Sequence, residues 1–120
     1  MERATVEAFY RRYIDRCNAH AFGGLGEFVA DDVRVNDVHV GLAGYIAGLE
    51  AMARAFPDFH WHLRHLLVDG SWIAAHFADT GTHRETGRGA DVREFALYRL
   101  ADGRIAEMWG DLPEVEQLTG

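Results

Sequence analysis

The sequence contains no lysine: arginine supplies all twelve basic residues of the 120, set against 19 aspartates and glutamates, for a formal net charge of −7. A nucleic-acid binder needs a concentrated basic face to release counterions, so this charge balance excludes that class. Cysteine is reduced to Cys17, which rules out an intrachain disulfide and fits a reducing, cytoplasmic setting. Serine is reduced to Ser71, beside a predicted turn, and no serine- or cysteine-based nucleophilic constellation is visible. No run of about 18 apolar residues occurs, so no membrane-spanning helix is expected. The opening Met1-Glu2-Arg3-Ala4-Thr5-Val6-Glu7 lacks the basic-then-apolar form of a secretory leader. Phosphate-binding loops and dinucleotide fingerprints are also missing, because the Gly23, Gly24 and Gly26 cluster follows a helix rather than a strand.

Hydrophobic residues make up 48% of the chain, enough for one core and a cavity, so residues 1–120 are read as one domain. Val6, Phe9, Tyr10, Tyr13, Ile14 and Cys17 recur at helical spacing and predict a helix over Ala4 to Asn18. A short helix is expected near Phe22 to Val29, then a strand over Val33 to Val38, then a helix from Tyr45 to Phe56 stopped by Pro57-Asp58. Beyond Pro57 the period becomes two. Strands are predicted over Phe59–Val68, Trp72–Thr82, Val92–Leu100 and Arg104–Leu112, with Asp69-Gly70 and Asp102-Gly103 as hairpin turns. Helices ahead of a long meander imply an α+β fold: a cone-shaped, curved antiparallel sheet packed on three N-terminal helices, an α+β barrel with a pocket at its open end.

This order resembles the nuclear transport factor 2-like superfamily, and within it the SnoaL-like polyketide and ester cyclases. The phrases that carry the resemblance span nearly the whole chain. They run from Tyr13-Ile14 through Asn18-Ala19, Phe28-Val29-Ala30-Asp31-Asp32-Val33, Gly44-Tyr45 and Phe56-Pro57-Asp58 to Thr80-Gly81-Thr82-His83. The most specific is Tyr98-Arg99-Leu100 with Asp102-Gly103-Arg104-Ile105-Ala106-Glu107-Met108-Trp109. The resemblance implies a cofactor-independent acid/base cyclase that folds a polyketide-like substrate in the pocket, with neither metal nor cofactor. Its alternatives on the same fold are an epoxide hydrolase or isomerase, or a ligand-binding dimer without chemistry.

The same resemblance implies a catalytic carboxylate just after the Glu-x-Trp segment, where Asp111 stands, and the related isomerases keep theirs near Asp37. Both remain acid/base candidates. Burial at an apolar mouth would raise either pKa into a useful range. Asn36 is the polar-anchor alternative to Asp37, and Tyr13 occupies the oxyanion-donor position of the isomerases. His76, flanked by Ala74, Ala75, Phe77 and Ala78, reads as a buried or pocket histidine, and His83 as either a structural residue at a hairpin end or one that orients a substrate carbonyl. Phe56, Trp61, Phe95 and Trp109 supply apolar wall for a small apolar or polycyclic substrate. His60 and His62 share a strand face, with His65 expected on the other, beside Trp61; two such histidines without a third ligand do not make a metal site. The sheet face away from the helices is expected to form a homodimer.

Overall fold

The computed structural model describes residues 1–110. Helix α1 (Arg3–Asn18) forms where predicted and buries the whole stripe from Val6 to Cys17. A 3-10 helix over Phe22–Glu27 replaces the expected second α-helix, because three glycines within five residues weaken α-helix propagation. Strands β1 (Val29–Val35) and β2 (Val38–His39) precede helix α2 (Gly41–Ala55). The meander then follows as β3 (His60–Asp69), β4 (Trp72–Thr82), β5 (Gly89–Ala101) and β6 (Arg104–Gly110).

All six strands share one curved, unclosed sheet in the order β2-β1-β6-β5-β4-β3. The architecture is the predicted α+β one, with one departure in pairing. Strand β1 runs parallel to β6, while every other pair is antiparallel. The predicted strand through Val38 is broken at Asn36-Asp37, whose φ values of 49° and 67° make a two-residue turn that pairs Val35 with Val38. Asn and Asp tolerate this left-handed backbone better than other non-glycine residues, so the pair reads as a hairpin rather than as strand.

Along β4, burial alternates strictly, with Ile73, Ala75, Phe77, Asp79 and Gly81 facing inward. The matching inner set on β5 is Ala90, Val92, Glu94, Ala96, Tyr98 and Leu100. Gly81 is closely packed: a Cβ there would lie 3.1 Å from the Phe59 ring and 3.2 Å from Phe56, which would have to give by a few tenths of an ångström.

In β3 the parity changes. Trp61 and Leu63 face inward, a bulge between Leu63 and His65 shifts the register, and Leu66 and Val68 take over the inner face. One extra residue moves every later side chain to the opposite face. His65 is therefore not on Trp61's side; it stands on the outer face beside His76, with their Nδ1 atoms 3.0 Å apart.

Candidate active site

Helices α1 and α2 lie against the inner face of the sheet and leave between them a cavity of about 370 Å³. Tyr13, Ile14 and Cys17 border it from α1; Gly44, Tyr45, Gly48 and Met52 border it from α2. The sheet contributes Val35, Trp61, Asp79, Val92, Glu94, Tyr98 and Met108. Asn18 fixes the junction of these two walls. Its side-chain amide donates to the Trp61 carbonyl at 3.0 Å, while its oxygen accepts the Trp61 N–H at 2.8 Å, so the end of α1 is clamped to β3.

Two acids stand on the inner face. The β4–β5 ladder pairs Phe77 with Glu94 and Asp79 with Val92, so Asp79 and Glu94 are diagonal neighbours on one side of the sheet. Asp79 is 2% exposed and Glu94 is 3% exposed. Burial, reinforced by the hydrogen bond and negative charge of Asp79, pushes the Glu94 carboxyl up to about 10. Burial also raises Asp79, against the hydrogen bond from Glu94 and the charges of His62 and His60. Glu94 therefore keeps its proton at neutral pH and stands beside Asp79, whose carboxyl burial also pushes up.

Opposite the sheet, the hydroxyls of Tyr13 and Tyr45 are hydrogen-bonded to each other. The Tyr98 ring meets Tyr10 and Tyr13 edge-on at 5.0 and 6.1 Å. Burial holds all four phenols well above their usual range, so each remains a neutral donor. Burial likewise pushes the Cys17 thiol up to about 12, which removes it as a nucleophile near neutrality.

Of the residues predicted for the site, Tyr13 and Trp61 line the cavity. Asp37 does not: it sits on the β1–β2 turn with its side chain 75% exposed, 3.4 Å from Arg34. Asn36 points its amide at Gly110 instead, donating to that carbonyl at 3.1 Å and accepting its N–H at 3.0 Å. Asp111 lies outside the described residues.

Phe56 is wholly buried in the core against Phe59, and its ring meets His83 edge-on. His83 accepts the Thr86 N–H in the β4–β5 connection, which is a loop-ordering contact. His76 stacks on Phe95 at 4.5 Å on the outer face, because its position is even where the inner set of β4 is odd. Phe95 and Trp109 share that outer face, Phe95 65% exposed and the Trp109 indole donating to Glu107 at 3.3 Å. Among the described residues no group of three His, Cys, Asp or Glu is arranged to hold a metal ion, and no helix is long and apolar enough to cross a membrane.

Sequence reasoning missed Asp79 and Glu94, although counting by two from Phe77 and from Tyr98 reaches both.

A family model described as SnoaL-like polyketide cyclase matches residues 7–118. The chain belongs to this family. Its fold is similar to that of a SnoaL-like polyketide cyclase from Agrobacterium tumefaciens, with a TM-score of 0.83 and 29% identity over 93% of this chain and 95% of that one. TsrD from Streptomyces laurentii shares the fold at a TM-score of 0.84, with 21% identity over 92% and 90% of the two chains. IdmH from Streptomyces antibioticus shares it at 0.81, with 18% identity over 94% of each chain. No curated protein matches the chain.

Proposed function

We propose that this member of the SnoaL-like family is a cofactor-independent acid/base cyclase acting on a polyketide-like substrate held in the cavity. The observation that carries the reading is the Asp79–Glu94 couple, two neighbouring buried carboxyls on the wall of an apolar hollow. Asp79 takes a proton from a carbon activated by neighbouring carbonyls. The resulting enolate carbon attacks a second carbonyl of the same molecule, forming the ring C–C bond as the carbonyl π electrons move to oxygen. Glu94 delivers its proton to that alkoxide, and the proton gained by Asp79 crosses to Glu94, which restores the starting state. Tyr13 and Tyr45 present a neutral hydroxyl to the enolate oxygen, where charge develops only as the reaction proceeds. Holding the chain folded supplies a further part of the rate.

The exposed turn position of Asp37 argues against it as the acid/base, whereas Asp111, which follows Gly110, is kept as the rival carboxylate. The test uses poly-β-carbonyl substrates beside epoxides. Asp79→Asn and Glu94→Gln should each lower kcat by about a hundredfold or more with substrate binding retained. Full turnover in both variants with loss in Asp111→Asn would transfer the role to Asp111. Turnover of epoxides alone would favour the hydrolase reading.

We further propose a cytoplasmic homodimer joined through the outer sheet face. Trp72, Phe95 and Leu97 stand exposed there beside the half-buried Trp109, an apolar surface that a two-fold copy would cover. Sedimentation at the mass of one chain would refute the dimer.

A further inference from the structure

Strand β3 stands at one edge of the sheet, and side chains from the end of α1 meet the outward main-chain groups where it begins. Asn18 takes both such groups of Trp61, accepting the N–H at 2.8 Å and donating to the carbonyl at 3.0 Å. His20 donates from Nε2 to the carbonyl of Phe59, two residues earlier, at 2.9 Å. The Asn18 amide thus does what a further strand would do. Only a carboxamide offers a donor and an acceptor in that fork, and glutamine carries it one methylene further out.

The effect of the clamp reaches the inner face. Because the N–H and carbonyl of Trp61 point away from β4, Trp61 and Asp79 form a non-hydrogen-bonded pair, the closer of the two antiparallel spacings. Both side chains are buried, and the indole packs edge-on to Phe59 at 4.7 Å and to His20 at 6.4 Å. In the strand order β5-β4-β3, Trp61 stands between Asp79 and the open edge, while Glu94 lies one strand deeper. The titratable groups acting on Asp79 are Glu94 from β5 and His62 and His60 from β3. The helices bring Tyr13, Cys17 and Tyr45 to the same cavity. An edge strand frays where its outward groups lack partners, and water admitted there would reach Asp79 first.

We propose that Asn18 is a positioning residue for the acid couple: its clamp on Trp61 holds the indole beside Asp79 and keeps water from that side of the sheet. The inference rests on the couple serving the proposed cyclase, and it adds a residue on which the couple's buried surroundings depend. Asn18 itself is not part of the cavity lining, so it acts through Trp61 rather than on a substrate.

Asn18→Leu keeps the size of the side chain without the fork, and Val6→Ala in the buried stripe of the same helix controls for a general loss of stability. Parent and variants are titrated by carboxyl-carbon NMR under conditions in which each is folded. In Asn18→Leu the Asp79 carboxyl should titrate nearer the ordinary carboxylate range than in the parent, and Glu94 should move less. The Trp61 amide should exchange with solvent about tenfold faster or more. On poly-β-carbonyl substrates kcat should fall about tenfold, with KM within about twofold of the parent. Val6→Ala should leave all three readouts unchanged. If Asn18→Leu does not fold, Asn18→Ala decides on the same readouts. An unmoved Asp79 titration in the variant that folds, or an equal movement in Val6→Ala, would overturn the proposal. A moved titration in a protein without cyclase turnover would leave the positioning role standing and refute the reaction. Full turnover beside an unmoved titration would refute the positioning role alone.

Discussion

Glu94 carries the same carboxyl group as Glu7 on the outer face of α1, yet its proton is held to about 10 because it is buried beside Asp79. The consequence for stability has a definite sign. A carboxyl whose folded pKa lies above its unfolded value binds more protons in the folded state. Its contribution is complete below about 4.5 and is lost as pH rises towards about 10. Glu94→Gln keeps the shape and a donor for Asp79 but removes the proton requirement. The variant should therefore gain stability over the parent as pH rises from 5 to 9, by of order 1–3 kcal/mol near pH 8. Urea unfolding across that range checks this, and a difference independent of pH would contradict it.

The residue scale is also where the sequence was hardest to read. Asp79 and Glu94 sit in positions that simple alternation assigns to the core, but no local phrase marks a carboxyl as buried. The identity of its neighbour across the ladder makes the pair, and that depends on register. His65 failed for a related reason, since the bulge in β3 reverses parity without leaving a glycine or proline as a sign.

Among the elements, α1 and the four meander strands were legible because each carries a period of 3.6 or 2 over most of its length, broken only by the bulge in β3. The strand ends were less so: β1 stops at a turn whose residues also occur in strands, and the 3-10 helix is too short to show periodicity. Helix α2 has a different logic. It places Gly44 and Gly48 on the cavity border, although glycine costs about 1 kcal/mol in a helix interior. A Cβ at Gly48 would have no neighbour within 4 Å, so the position is open space rather than a close contact. Gly48→Ala should stabilise the fold by about 0.5–1 kcal/mol. Gly48→Leu should retain the fold and weaken binding of a poly-β-carbonyl substrate at least several-fold by filling the cavity. Thermal unfolding and calorimetry test the two together, and undiminished binding in Gly48→Leu would mean that the ligand sits elsewhere.

For the molecule as a whole, the family architecture was recognisable from phrases distributed over the chain, because they mark turns and layer contacts that the sheet needs wherever the chemistry lies. The same phrases direct attention to the strand ends at Asp37 and Asp111, whereas the structure assembles an acid couple at mid-sheet. The account depends on that couple holding a proton in its buried place on the inner face of the sheet. Carboxyl-carbon NMR titration of the selectively labelled protein reads this directly. The Glu94 resonance should keep its protonated shift through neutrality and move only as pH approaches about 10, with Asp79 perturbed above the ordinary carboxylate range. Titration of both groups near 4, as independent solvated acids, would contradict the account.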